Sequence, residues 1–132
     1  MPATLSIDHA SRMVTIEIAG TLEIGEMLAA IDGVVRAIEG RGRYAVLTDH
    51  RALDTPITPV QVSQVLAHLS AAGGSLVGAR WAAVVSQPAS YGMMRLLAAR
   101  AEDLPMEVKA FWDRNEALAW LRGGPDAPGG AA

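Results

Sequence analysis

Residues 80–102, RWAAVVSQPASYGMMRLLAARAE, contain the pattern on which the fold prediction rests. Trp81–Val85 is a short, continuous apolar run, which is typical of a strand buried on both faces in a parallel sheet. Pro88–Ser90 then predict a turn, and Tyr91–Glu102 predict a helix that is apolar on almost all sides. Such a helix is either deeply buried or contacts a partner. The stretch therefore predicts one strand-turn-helix unit of an α/β domain.

The same alternation continues on both sides of this unit. Two β-type runs joined by a turn at His9–Arg12 predict an antiparallel hairpin with its first strand at an edge. Thr21 is predicted to cap the first helix and Gly40 to end it. The predicted strands are Thr4–Asp8, Met13–Ile18, Tyr44–Thr48, Trp81–Val85 and Met106–Ala110, and the predicted helices are Ile24–Ile38, Thr58–Ala71, Tyr91–Glu102 and a last one between Asp113 and Gly123.

The second helix has the clearest start in the chain. Thr58 stands at the N-cap, Pro59 at the first helical position, and Gln61 at the position that completes a capping box. The element order is therefore ββαβαβαβα, an α/β fold with a mainly parallel sheet and an antiparallel edge strand. We expect a single domain over residues 1–122, followed by a disordered tail at 123–132 that is rich in Gly, Pro and Ala.

Composition excludes several classes of function. The chain has 132 residues, 51% of them hydrophobic, which is enough for one core without a disulfide or metal. Its net charge of −3 gives no general attraction to nucleic acid, and the absence of cysteine excludes thiol catalysis and thiolate metal sites. All basic residues except Lys109 are arginines, which reflects either a GC-rich genome or recognition of carboxylate or phosphate.

Targeting segments are not apparent. The N-terminal residues do not have the basic and apolar regions of a secretory signal. No uninterrupted apolar run approaches the ~20 residues that a membrane span requires. We therefore expect a cytoplasmic protein without an integral membrane segment.

Candidate site residues follow from the predicted sheet, because ligands gather at the carboxyl ends of parallel strands. Those ends carry Asp49-His50-Arg51, Ser86-Gln87 and Phe111-Trp112-Asp113. Asp49 and Arg51 either bind a ligand or partner there, pair with each other, or cap nearby backbone.

The first turns of the third helix supply the remaining candidates, which are Tyr91, Gly92, Met94 and Arg95. Arg95 either forms a surface salt bridge or joins Arg51 in an anion site. Gly92 is interpreted as a position of close packing, and Met94 as a side chain that adapts to an acyl chain.

Three motifs together resemble the STAS fold, and more narrowly the bacterial SpoIIAA-like family. The first is D-x-R after a strand, met by Asp49 and Arg51. The second is Y-G-M-x-R, met by residues 91–95. The third is F-x-D-x-x-E-A-x-x-W-L, met by residues 111–121.

The resemblance implies a non-enzymatic domain that binds a protein partner, or a lipid-like or nucleotide ligand. The sequence departs from the family pattern where anti-sigma-factor antagonists carry a phosphorylatable serine in D-S-S-G. This chain has TDHRALDTPIT at residues 48–58, with hydroxyls only at Thr48, Thr55 and Thr58, and Thr58 is better explained as a cap. The resemblance therefore does not extend to the phosphorylation switch.

Three functions remain open at this point. The leading hypothesis is a regulatory binding module whose third helix, with Thr58–Ala71, contacts a protein partner or a second copy of the chain. The second is a carrier of a lipid-like or anionic ligand near Tyr91 and Arg95. The third is a hydrolase that uses Ser86 and His50, although Ser86 does not lie in a G-x-S-x-G elbow. His50, His68 and Asp54 do not have metal-ligand spacing, so we expect neither a metal nor a cofactor.

Overall fold

Five strands and four helices alternate along residues 3–123, the part of the chain that the computed structural model describes. They are β1 (Ala3–Asp8), β2 (Met13–Gly20), α1 (Ile24–Ile38), β3 (Ala45–Leu53), α2 (Pro59–Ala71), β4 (Arg80–Val84), α3 (Pro88–Arg100), β5 (Glu107–Phe111) and α4 (Arg114–Leu121), with 3₁₀ turns at Gly73–Leu76 and Ala101–Asp103. The predicted tail at 123–132 lies outside the described residues, except for Gly123.

The strands form one sheet in the order β1-β2-β3-β4-β5. β1 pairs with β2 in the antiparallel sense, and the next three pairs are all parallel. This arrangement confirms the predicted fold class and the antiparallel edge strand. It also brings the carboxyl ends of β2, β3, β4 and β5 to one edge of the sheet.

Each face of the sheet has its own core. Side chains of α1, α2 and α3 pack with Val46, Trp81 and Ala83 on one face. On the other face, α4 packs with Leu47, Ala82 and Val84 and so forms the smaller core. Because neighbouring strand residues point to opposite faces, adjacent residues of β3 enter different cores.

β3 is longer than the sequence predicts. The prediction ended it at Thr48 and placed Asp49, His50 and Arg51 after its end, but the strand runs to Leu53. β2 also continues to Gly20, and Gly20 lies opposite Leu53 beyond a register shift between Glu17 and Ala19. Pairing with a neighbouring strand has overridden the polar composition of this segment.

Two predicted helix starts are wrong. α1 has Glu23 as its N-cap rather than Thr21, and no side chain caps it. Backbone pairing continues to the end of β2, where Gly20 O accepts from Asp54 N at 2.9 Å, and the helix begins only at Ile24. α3 begins at Pro88 and not at Tyr91, because proline in the first turn of a helix needs no backbone N–H donor.

Other predicted features agree with the structure. Thr58 and Gln61 form the reciprocal capping box at the start of α2. Gly40, with φ +74°, follows the end of α1 in the left-handed conformation that glycine favours.

The apolar residues of α3 pack against the core of the molecule. Met94 and Leu97 are buried, and Tyr91, Met93 and Leu96 pack partly buried against the main core. The large apolar side chains that are exposed among residues 3–123 are Val60, Val77 and Trp112, none of which lies on α3. Of the two alternatives for this helix, the structure shows burial.

Candidate functional site

An ion cluster lies at the carboxyl end of the sheet, on the face that α4 covers. Arg51 donates two hydrogen bonds to the Asp49 carboxylate, from Nε to Oδ1 at 2.9 Å and from Nη2 to Oδ2 at 2.7 Å. Arg114 Nη1, from the first turn of α4, lies 3.1 Å from the same Oδ2. We call Asp49, Arg51 and Arg114 the ion cluster. Asp49 and Arg51 thus pair with each other, and Asp49 Oδ1 also accepts from Arg51 N at 3.1 Å, whereas binding of a ligand or partner by these residues stays a prediction.

The charge state of Asp49 follows from its two arginines. Burial of the carboxyl group raises its pKa, but hydrogen bonds from Arg51 and the attraction of Arg51 and Arg114 outweigh burial. The pKa of Asp49 therefore lies below its ordinary value, and the group is ionised at neutral pH. The cluster carries two positive charges against one negative, and the Arg51 side chain stays 46% exposed.

A second group of residues, the aromatic rim, consists of Tyr91, Arg95 and Trp112. The rings of Tyr91 and Trp112 stack at 15° with their centroids 4.6 Å apart. The Arg95 guanidinium carbon lies 5.8 Å from the Tyr91 ring centroid, within the range of a cation–π interaction. Within residues 3–123 no carboxylate lies at ion-pair distance from Arg95, so the predicted alternative of a surface salt bridge is not formed.

Strand and helix positions bring the aromatic rim together. Trp112 directly follows β5, and Tyr91 lies one turn into α3, which packs along β5. Arg95 stands four residues after Tyr91 and so lies on the same side of α3. Trp112 keeps half of its surface exposed, at 50%. The rim is therefore an aromatic surface open to solvent.

Gly92 and Met94 occupy different surroundings from the rest of the candidates. Gly92 is exposed, and a Cβ built there would meet no atom within 4 Å, so its interpretation as a close-packing residue is wrong. Met94 is buried and faces the interior between the sheet and the helices. The structure thus divides the six predicted site residues among the ion cluster, the aromatic rim, the surface of α3 and the core.

Met94 lines a small internal cavity. Its volume is about 20 Å³, which is room for about one water molecule. Apart from Thr48 and His50, the lining is apolar. In this conformation the cavity does not accommodate an acyl chain.

His50 lies beside this cavity in a buried polar network. Its Nε2 is 3.0 Å from Thr48 Oγ1, which also accepts a hydrogen bond from Trp81 Nε1 at 3.2 Å. Burial lowers the pKa of His50 to about 4, against a smaller opposing attraction from Asp49. His50 is therefore neutral at physiological pH and serves the core.

The predicted nucleophile and base of a hydrolase are not paired. Ser86 Oγ donates to Arg51 O at 3.4 Å, at the exposed edge. His50 bonds to Thr48 on the core side of β3, whereas Asp49 points to the opposite face, towards α4. These three residues consequently have no shared site at which a substrate could react.

The remaining titratable groups give no metal centre within residues 3–123, where no group of three His, Asp or Glu side chains could hold an ion. His68 instead pairs with Asp32, at 2.6 Å between Nε2 and Oδ1. No helix of the same residues is long and apolar enough to cross a membrane.

Two residues of the observed site were not among the predicted ones. The sequence places Trp112 at a strand end, and Arg114 at the start of the last helix, outside the set of predicted site residues. The signal for Trp112 is an aromatic residue between a strand and the Asp113 cap. Arg114 has no comparable sequence signal, because its contact with Asp49 spans 65 residues.

The fold defines the molecule as a STAS-type α/β domain, with one mixed sheet, three helices on one face and one on the other. More specifically, the family model described as SpoIIAA-like matches residues 13–122, and the chain belongs to that family. No curated protein matches the sequence significantly.

Two crystal structures share the fold. One is an uncharacterised protein with a SpoIIAA-like fold from Shewanella loihica PV-4, 19% identical, with a TM-score of 0.61, covering 90% of this chain and 93% of that one. The other is an anti-sigma factor antagonist from Mycobacterium paratuberculosis, 18% identical, with a TM-score of 0.59, covering 91% and 92% respectively. At these identities the similarity shows the fold.

Proposed function

We propose that this protein is a non-enzymatic, cytoplasmic regulatory module that binds a protein partner through the aromatic rim. The observation that carries the proposal is Trp112, half exposed and stacked on Tyr91. Trp, Tyr and Arg dominate the residues that contribute most to binding at protein interfaces. The rim presents one of each, and the stacking lets Trp112 lose little conformational freedom on binding.

The ion cluster supports the same surface. One of its members, Arg114, is two residues after Trp112 in the chain, and it contacts Asp49 of β3 at 3.1 Å. Asp49 holds the guanidinium groups of Arg51 and Arg114 in fixed positions, and both side chains remain partly exposed. Fixed cations at the same edge of the sheet as an exposed tryptophan favour a partner with acidic side chains around an apolar contact.

Two findings support the class of function: membership of the SpoIIAA-like family, and a fold shared with an anti-sigma factor antagonist. Regulation by phosphorylation is not part of the proposal. The hydroxyl at the start of α2 belongs to Thr58, whose Oγ1 accepts a hydrogen bond from Gln61 N at 3.2 Å and so caps the helix.

Site-specific photo-crosslinking in the native cells tests the proposal. A benzoylphenylalanine at position 95 should form a covalent adduct with one defined protein, identified by mass spectrometry, and the adduct should disappear in a Trp112→Ala background. The same probe at exposed position 36, on α1, is the matched control. An identical set of adducts from both positions, or none from position 95, would contradict the proposal.

In one form of this proposal the protein partner is a second copy of the same chain, so that the protein is a homodimer. The apolar excess of α3 does not support this version, because those side chains pack inside the molecule. Trp112 is the remaining apolar anchor near α3. Sedimentation equilibrium at micromolar concentration should show a dimer that Trp112→Ala dissociates, and a monomer throughout the range would exclude this version.

The carrier of a lipid-like ligand ranks second, on the observation of an apolar cavity lined by Met94. At about 20 Å³ it would have to expand by movement of α2 and α3 before an acyl chain could enter. Native mass spectrometry of the purified protein tests this alternative. A carrier should retain a copurified ligand, and a mass equal to that of the bare chain at low activation energy would reject it.

A further inference from the structure

A wide cleft lies at the edge of the sheet opposite the aromatic rim. It is bounded by the amino-terminal ends of β3, β4 and β5, by the turn between β1 and β2, and by the end of α4. Its volume is about 350 Å³, which is within the size range of small-molecule sites. None of the predicted site residues lines it.

The charge of this cleft differs from that of the whole molecule. Four arginines line it, Arg12, Arg43, Arg80 and Arg122, whereas Glu107 is the only acidic residue in the lining among residues 3–123. The chain as a whole has a net charge of −3. Positive charge is thus concentrated in a concave surface, where field lines are focused and anions are attracted.

Two of the four arginines are held in position as parts of the wall. Arg12 donates from Nη1 to Arg41 O and lies with its guanidinium carbon 5.6 Å from the Tyr44 ring centroid. Arg80 donates from Nη1 to Trp120 O at 2.6 Å and lies 4.8 Å from the Trp120 ring centroid. Such fixed cations need little reorganisation when an anion arrives.

The backbone around Arg12 is adapted to this position. Arg12 has φ +56°, which is unusual for a residue other than glycine. Gly42 has φ +90°, and a Cβ there would lie 3.1 Å from Arg12 Nη1. A side chain at position 42 would therefore displace the guanidinium group, whereas glycine lets the two segments approach.

The other two arginines are available to a ligand. Arg43 and Arg122 are exposed, and within residues 3–123 no carboxylate lies at ion-pair distance from either. Arginine presents a planar fork of donors that matches phosphate oxygens in pairs. Four positive charges opposed by one negative charge suit a ligand with two or more negative charges.

We propose that this cleft binds a small molecule that carries a diphosphate group. Arg43 and Arg122 contact the phosphates directly, and Arg12 and Arg80 supply the fixed charge behind them. Met13 and Leu121 line the same cleft and offer apolar contact to an organic portion of the ligand. The site is separate from the proposed partner surface, so the two proposals stand or fall independently.

Isothermal titration calorimetry of the full chain at low ionic strength, with inorganic pyrophosphate and with ADP as probes, tests this site. Both should bind, with adenosine as the phosphate-free control. ADP binding tighter than pyrophosphate would show that the organic portion contributes, and equal affinity would show that the diphosphate alone is recognised. Each result supports the proposal, whereas no binding of either probe at millimolar concentration overturns it.

Substitutions locate the binding. Arg43→Ala and Arg122→Ala should each weaken pyrophosphate binding about tenfold, the loss of one charge-assisted contact. Arg43→Lys should recover only part of it, because a lysine has no fork. Arg36→Ala, an exposed arginine on α1, and Trp112→Ala should bind as the wild type does.

Equal losses in Arg36→Ala and Arg43→Ala would show non-specific attraction and overturn the proposal. Amide NMR spectra provide a second readout that does not depend on the stability of the variants. Pyrophosphate should shift the amide signals of Gly42 and Gly123 and leave that of Trp112 unchanged. Shifts spread evenly over the molecule would also contradict the assignment.

Discussion

Trp112 lies flat against Tyr91, with ring centroids 4.6 Å apart, although the two residues come from different elements. Tyr91 belongs to α3, and Trp112 follows the end of β5. The stack places an indole at the surface with half of its area open to water. The other two tryptophans are buried, in contrast: Trp81 lies in the larger core and Trp120 in the smaller one.

This contrast predicts how the fluorescence of the protein responds to a quencher. Iodide should reach Trp112 and not the two buried indoles, so that Trp112→Phe removes most of the quenchable emission. The substitution should change the free energy of unfolding by less than about 1 kcal/mol, since an aromatic stack is worth ~0.5–1.5 kcal/mol and Phe keeps part of it. Steady-state quenching of both proteins is the measurement, and an unchanged quenching slope in the variant would be the contrary result.

Replacement of Asp49 should destabilise the protein through its two arginines. Asp49→Asn removes the charge that Arg51 and Arg114 bind, and we expect a loss of about 1.5–3 kcal/mol at pH 7. Asp54→Asn, in the exposed loop after β3, is the matched control and should have little effect. Urea unfolding measures both.

The effect of Asp49→Asn should also depend on pH. Because the pKa of Asp49 is lowered in the folded state, its contribution is fully present above the unfolded value of about 3.9. The contribution is lost as the pH falls through the lower, folded pKa. The two stability curves should therefore converge at acid pH, and a constant difference down to the acid unfolding transition would contradict this account.

His50 makes a separate prediction of pH dependence. Its pKa is about 4 in the folded state and about 6.5 in the unfolded chain, so the unfolded state binds the proton first as the pH falls. Stability should drop between those two values, by on the order of 3 kcal/mol in total. The slope should be absent from His50→Gln and retained in His68→Gln, which keeps His50. Chemical unfolding at pH 7, 6, 5 and 4 measures it, and equal slopes in the two variants would refute the assignment.

The capping box of α2 predicts how much stability the protein loses when the Thr58 hydroxyl is removed. Thr58→Ala removes the acceptor for Gln61 N, and we expect a loss of about 1 kcal/mol. Thr55→Ala changes an exposed hydroxyl three residues earlier and is the control. A melting temperature that is the same in Thr58→Ala and in the wild type would count against the cap.

Local patterns predicted the elements that depend on local chemistry. Continuous apolar runs indicated the central strands β3 and β4, and the Thr58 cap with Pro59 indicated the start of α2, because these signals act within one or two turns. Proline at position 88 was interpreted as a turn and in fact opens α3, since proline favours both positions. The extension of β3 to Leu53 could not be predicted, because it depends on pairing with β2, more than 30 residues away.

The site was predicted in part, for a related reason. Strand ends identified Asp49, Arg51 and the segment with Trp112 as lying on one edge of the sheet. The pairing of Asp49 with Arg114 and the stack of Tyr91 on Trp112 depend on how α3 and α4 dock against the sheet. Docking angles are set by packing of whole elements, and periodicity along the chain does not contain them.

The sequence by itself determined the alternation of strands and helices and the family, since hydrophobic period, caps and short motifs are local properties of the chain. Only the tertiary structure decided that α3 is buried, that His50 and Asp49 enter opposite faces of the sheet, and that four distant arginines meet in one cleft. The physical reason is that burial and charge clustering depend on contacts between residues far apart in sequence, which form only when the sheet brings its strands and helices together.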